Sequence, residues 1–290
     1  MRVMPFSTPR PDPVRGFYGP GTQMWRINRE AVLLGAGPTA LLLQIAHPLV
    51  AEGVAQHSDF ESDPFRRLHG TIRTTMDLVF GDGPAAERAV RRLNGIHASV
   101  RGPVEDEQAR QAWQAYRALD PALLLWVQTT LIVTSVHAYE RWVAPLAEEC
   151  REQFWQEART VGVRLGIPLS LSPVDWPALM LYWERMLAPD GPISVTPTAR
   201  RMAPLIHRPP IPLLPSPLRG LLALPGLAFL PPRLRTEFGI EWGSVHERSA
   251  RLLGHAIRAW VSIMPVRWRQ MPQAGAAQHR VNVAARLRRG

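Results

Sequence analysis

The chain has 290 residues, 46% hydrophobic and 20% charged, with a formal net charge of +10; that suits one large domain or two small ones and excludes collagen and disorder throughout. A single cysteine, Cys150, excludes a disulfide scaffold, CxxC redox chemistry, cysteine-rich zinc sites and haem attached through a C-x-x-C-H motif. All 34 basic residues are arginine, so no lysine serves as a ligand or Schiff base, and so basic a chain raises nucleic acid or an anionic membrane as a partner.

Residues 1–29, rich in proline, glycine and arginine, read as an extended N-terminal arm, and they lack the apolar run of a signal peptide. Residues 30–264 read as a single all-α, multi-helix domain. Within it, Gly35-x-Gly37-x-x-Ala40 matches a dinucleotide-binding turn. No β-branched second strand and no closing acid follow, so the glycines and Pro38 are read as a turn into a helix. Asp63 and Pro64 start a helix with a capping acid and proline at its first position, and Gly81-Asp82-Gly83 ends it. Pro84 opens the next helix, which runs to Gly102. Asp120 and Pro121 start a third, whose stretch ALLLWVQTTLIVTSV is apolar on nearly all sides, as at the centre of a domain. Pro145 ends it. Leu146–Leu165 and Pro173–Leu187 follow as amphipathic helices.

Residues 190–232 are crowded with proline yet apolar (IPLLPSPLRGLLALPGLAFLPP). The segment cannot be one long helix and is too apolar for a disordered linker. It caps the core, lines an apolar entrance or touches a membrane. Ser244–Met264 is the last long helix. Residues 265–290 carry Arg267, Arg269, Arg280, Arg286, Arg288 and Arg289 and read as a solvated basic tail, with a membrane surface or polyanion as the alternative. No aromatic–basic RNA signature or zinc-finger spacing accompanies them, so nucleic acid is not the expected partner. No uninterrupted apolar run reaches the ~18 residues that span a bilayer. The expected location is the cytoplasm, with peripheral membrane association as the alternative.

The chemistry concentrates in the hairpin around Gly81–Gly83. On a wheel of ~100° per residue, Ala86, Ala89, Val90, Leu93, Ile96, His97 and Val100 share one face, with His97 near its middle. A histidine so placed is either a core residue satisfied by a carbonyl or a ligand. The preceding helix buries Phe65, Leu68, Ile72, Met76 and Val79, with Arg67 and Thr71 one turn apart on the flank. The short turn makes the helices antiparallel neighbours. Arg67 and His97 then lie at similar heights, ~21 Å from the turn at ~1.5 Å per residue. An imidazole level with a guanidinium and a hydroxyl suits a prosthetic group with an apolar body and anionic edges, such as haem.

The motifs AHPLVAEGVAQHSDFESDPFRRLHGT, VFGD, RRLNGIHASVRG and YRALDPALLLWVQTTL, in this order, resemble the MpaB/rubber oxygenase (latex-clearing protein-like) family. The resemblance covers about residues 30–190 and, more loosely, the proline-rich part and the last long helix. It implies an all-α, globin-like core holding a non-covalent haem b and using dioxygen on carbon–carbon double bonds of isoprenoid chains. His97 matches the iron ligand, and Arg67 and Thr71 match the polar residues beside the haem. Two features depart from the pattern. Gly70 precedes Thr71 where a rubber oxygenase can place a distal lysine, and Gln128 stands where relatives read histidine. His47 and His57, with Glu52 and Asp59 in HP…HSDF, are the remaining catalytic candidates; either histidine could equally cap a helix. His69 is a rival ligand, and His246 and His255 are read as solvated or packing residues.

Three readings compete. The leading one is a haem b-dependent oxygenase with dioxygen and an apolar, unsaturated substrate. In it His97 binds iron through Nε2, and its other ring nitrogen donates to a backbone carbonyl or carboxylate. The second is a carboxylate-bridged metal oxygenase, supported by His137-x-x-Glu140 and the acids Glu148, Glu149 and Glu152, but lacking the repeated Glu-x-x-His. The third is a non-catalytic protein that binds haem or an apolar ligand as a carrier or sensor.

Overall fold

Prolines and capping acids divide the chain as expected, into helices of moderate length. The computed structural model describes residues 10–57, 64–207 and 216–289, and within these the backbone alone at 64–69, 71 and 216–219. In chain order the elements are α1 (Gln23–Asn28), a 3-10 turn (Ala31–Ala36), α2 (Gly37–Ile45), α3 (Pro48–His57), α4 (Pro64–Phe80) and α5 (Gly83–Ser99). Then come β1 (Arg101–Pro103), α6 (Glu107–Arg110), β2 (Ala115–Arg117), α7 (Pro121–Trp142), α8 (Glu148–Arg164) and α9 (Trp176–Leu187). The last are α10 (Pro197–His207), α11 (Ser216–Leu227), α12 (Pro232–Glu237), α13 (Ser244–Ile263), α14 (Val266–Arg269) and α15 (Pro272–Leu287). The class is all-α.

α7 is the central helix. Asp120 caps it, its Oδ1 accepting the Ala122 N–H at 2.8 Å, and Pro121 fills the first position, where no N–H is needed. It is long and apolar enough to cross a bilayer, but most of that stretch is buried inside the fold, against α2, α8 and α13. Trp126 is fully buried, stacks on Trp183 with ring centroids 5.6 Å apart and donates its indole N–H to the Leu43 carbonyl at 3.1 Å. The hydroxyl of buried Thr130 returns to the Val127 carbonyl at 2.7 Å, so it adds no unsatisfied group to the core.

The GAGP segment is a turn into a helix, as read: the 3-10 turn passes into α2 with Pro38 in its first turn. α2 and α3 then meet at a bend of 107°. The proline-rich segment is not a single helix. It supplies α10 with Pro204 inside it, α11 with Pro225 inside it, and α12. Met202, Ile206, Leu227, Leu230 and Leu234 bury into the main core. Gly226 lies so close to the Gly35 carbonyl that a Cβ there would collide with it, and the Gly226 carbonyl accepts the Thr39 hydroxyl at 2.6 Å. This face of the segment caps the core.

Two expectations are corrected. The chain is not wholly without strands, since β1 and β2 form a short antiparallel pair with Gly102 opposite Tyr116. They end α5 at Ser99, short of the expected Gly102. Residues 265–289 are not a solvated tail either. Met271, Ala274 and Ala277 are buried in a cluster with Tyr18, Trp25, Met76, Val79 and Phe80. Alanines one turn apart let α15 lie close against α4, and Arg280 ties it down by donating to the carbonyls of Val14 (2.9 Å) and Phe80 (2.6 Å). The described part of the N-terminal segment is laid over the same place. Gly16 adopts φ +69° against the Gly81 carbonyl, where only glycine fits without strain, and the Gly83 N–H donates to the Pro13 carbonyl at 3.3 Å.

Candidate active site

α4 and α5 form the expected hairpin. Asp82 caps α5 by accepting the Ala85 N–H at 2.8 Å. Near the turn the helices lie side by side around a cavity of about 400 Å³ lined by Arg73, Thr74 and Asp77 from α4 and by Arg88, Ala89 and Arg92 from α5. On the backbone, positions 67 and 97 stand at equal distances along the chain from Gly81 and Gly83. The side chains of Arg67, His69 and Thr71, and all of Asp59, lie outside the described residues.

The buried face of α5 is Gly83, Ala86, Ala89 and Val90. It does not continue to Val100 at full depth as the wheel expects. Ile96 is 48% exposed and Leu93, His97 and Val100 are half-buried. The reason is the chain's path: α5 passes beyond its packed half and turns into β1. His97 is therefore not a closed-in core residue. Its Nδ1 is nevertheless fully buried and has no hydrogen-bond partner among the described residues. Burial holds its pKa below the ordinary histidine value, favouring the neutral ring with a free lone pair. The carbonyl or carboxylate expected at the second ring nitrogen is not found on Nδ1.

One turn earlier, Asn94 donates its amide to the Arg164 carbonyl at 3.0 Å, while its Oδ1 is buried and unpartnered. On α7, Gln128 donates to the Ala158 carbonyl at 2.9 Å and packs on Gly162, where a Cβ would come within 2.9 Å of the amide. Gln128 is thus a spacer between α7 and α8. Its Oε1 and the hydroxyl of Thr129 are also buried without partners. Nothing in the motif signalled Asn94; the two-amide pattern on the inner sides of α5 and α7 appears only in three dimensions.

His57 and His47 are separated. They stand at opposite ends of α3, ~14 Å apart along an axis rising ~1.5 Å per residue. His57 is exposed and comes to the end of α5, its Nε2 lying 3.2 Å from the Arg101 carbonyl and its ring edge-on to Tyr116. Gly53 meets Val100 there as well. His47 is buried beside Trp113, and its Nδ1 accepts the Leu49 N–H at 3.2 Å, a cap at the start of α3. Desolvation pushes its pKa down to about 4, with Asp120 opposing. Between them, buried Glu52 accepts the Gln56 amide at 2.9 Å and the Glu105 N–H at 2.7 Å. Gln56 in turn accepts the Tyr116 hydroxyl at 2.8 Å. Burial, then Glu52 and Glu105, push the Tyr116 hydroxyl up to about 12.

Two acids of the carboxylate-bridged reading, Glu140 and Glu152, are used elsewhere, and Glu148 and Glu149 are exposed. Glu140 pairs with Arg151, whose Nε lies at 2.8 Å, and Glu152 accepts the Trp176 N–H that starts α9 at 2.6 Å. His137 is held neutral chiefly by burial, Arg151 assisting and Glu140 opposing. Among the described residues no three metal-ligating side chains come together. His246 accepts the Gly243 N–H at 3.2 Å and stacks on Trp242, and His255 is exposed.

Fold and geometry define a helical protein whose distinctive group is an unbonded, half-sheltered imidazole on the second arm of an α-hairpin. The chain belongs to the family described as "ER-bound oxygenase mpaB/B'/Rubber oxygenase, catalytic domain", whose model matches residues 24–259. It is 28% identical over 246 residues to the uncharacterized protein Mb2261 of Mycobacterium bovis, covering 77% of this chain and 90% of that one. The same figures hold for the uncharacterized protein Rv2237 of Mycobacterium tuberculosis. No solved structure matches the chain.

Proposed function

We propose that the protein is a haem b-dependent oxygenase that uses dioxygen on an apolar, unsaturated small molecule. The observation that carries this reading is the neutral, half-buried ring of His97 on the second arm of the hairpin, its Nδ1 buried and without a partner among the described residues. A buried polar atom without a partner costs ~1–3 kcal/mol, and a neutral imidazole with a free lone pair is what an iron ligand requires. Among the described side chains of the hairpin, His97 is the imidazole that would offer its Nε2 lone pair to iron, with Nδ1 left to donate to a group the bound state would have to bring. The half-buried Leu93 and Val100 and the exposed Ile96 beside it offer the apolar surface that a porphyrin face or a hydrocarbon chain would cover.

In this reading His97 holds the iron, Arg67 on α4 neutralises a propionate, and Thr71 gives a hydrogen bond near the pocket. When bound, haem would supply the activation of dioxygen. His57, at the α5 end of α3, is the better placed of the two motif histidines to exchange protons with solvent. His47 is taken up in capping α3. The globin-like character of the core rests on the family alone.

The test is an absorption spectrum of purified protein titrated with haemin. A stoichiometric Soret band, lost in His97→Ala and restored when free imidazole is added to the variant, supports the reading. A protein that takes up no haemin, or a His97→Ala variant with an unchanged band, overturns it.

A further inference from the structure

We propose that the outward face of α13 and the adjoining α14 turn form a docking surface for an anionic lipid bilayer, which the protein meets peripherally. This rests on the surface alone and is independent of haem. α13 buries Ala250, Gly254 and Val261 against the domain. Its opposite side should be polar on a helix at the edge of a soluble fold. Instead Leu252 is 69% and Ile263 73% exposed, with the exposed alanines Ala256 and Ala259 between them. Beside this stripe and just beyond the helix end stand two exposed tryptophans, Trp260 (47%) and Trp268 (70%). An apolar stripe with tryptophan at its end suits the boundary between headgroups and acyl chains.

Charge selects the partner. From residue 244 to 289 the sequence has nine arginines and one acid, Glu247. Glu247 accepts the Trp242 indole N–H at 2.9 Å and lies 3.8 Å from the Arg251 guanidinium, leaving the other arginines uncompensated by any acid on this stretch. Arg269 is turned inward to Glu30 and the Val261 carbonyl, whereas Arg248, Arg251 and Arg267 are exposed around the apolar face. A second copy paired face to face would bring mostly arginine against arginine, the one carboxylate on the face, Glu247, being already beside Arg251. Anionic headgroups supply the missing sign, and each arginine near such a surface adds to the attraction.

The experiment is flotation of the full chain with phosphatidylcholine vesicles made with and without phosphatidylglycerol, at low and high salt. We expect binding to the anionic vesicles only, reversed by salt. Partition should weaken roughly tenfold or more both in Trp260→Ser/Ile263→Ser/Trp268→Ser and in Arg248→Gln/Arg251→Gln/Arg267→Gln. These residues are exposed, and unchanged far-UV circular dichroism separates lost docking from lost fold. Absence of flotation, equal binding to neutral vesicles, or unweakened variants overturns the proposal. So does a wild-type dimer in sedimentation that the serine variant splits, since a second copy then covers the face.

Discussion

His47→Asn separates a capping histidine from one that serves chemistry. An asparagine oxygen can accept the Leu49 N–H as Nδ1 does at 3.2 Å, but it does not titrate. In the folded protein burial brings the His47 pKa from 6.5 to about 4. The folded state therefore binds this proton less readily than the unfolded chain. The stability that the neutral ring contributes is complete above pH 6.5 and is lost as pH falls toward 4. The full shift corresponds to roughly 3 kcal/mol, of which about 2 kcal/mol is gone by pH 5. Urea unfolding at pH 7 and pH 5 should show the wild type losing about 2 kcal/mol more than His47→Asn over this interval. The carboxylates and other histidines titrate alike in both chains and cancel in the difference. Parallel pH slopes would refute a buried neutral imidazole at this position. A variant that is stable but takes up haemin no longer would refute a capping role as the whole of its work.

Two further outcomes test how the fold is closed. Gly226→Ala should push α11 off the Gly35 carbonyl and weaken the Thr39 hydrogen bond, lowering stability by roughly 2–4 kcal/mol in denaturant; an unmoved midpoint would mean that the proline-rich segment is not docked there. Trp126→Ala removes a fully buried indole, its stacking on Trp183 and the donor to Leu43. A loss of ~3–5 kcal/mol is expected in thermal or urea unfolding, and a loss below ~1 kcal/mol would deny α7 its central place.

The long helices were legible because their signals are local. Asp120 with Pro121, Asp82 before α5 and the 3.6-residue spacing of apolar residues act within one or two turns. β1 and β2 were not, since three residues each, one of them Gly102 and another Pro103, leave no alternation to read. Arginine content suggested a free tail, and it hid the signal that mattered, Ala274 and Ala277 one turn apart on a face with Met271. The site was half legible. Periodicity placed His97 inward, but no local rule shows that its Nδ1 lacks a partner or that Ile96 stays exposed, because both depend on where the chain goes after Ser99. Likewise His47 and His57 belong to one motif, yet α3 carries them to opposite ends.

The clamp on the hairpin turn has a mechanical consequence. Arg280 grips the Phe80 and Val14 carbonyls, the Gly83 N–H is tied to Pro13, and Trp25 sits edge-on to Phe80 at 5.0 Å. The α4–α5 pair is thus fixed at Gly81–Gly83, and α5 is held a second time near its far end, where Asn94 donates to the Arg164 carbonyl and the chain enters β1. A chain cut after Ile263 would lose the Arg280 grip on Phe80 and Val14 and leave the turn held by Pro13 and Trp25 alone.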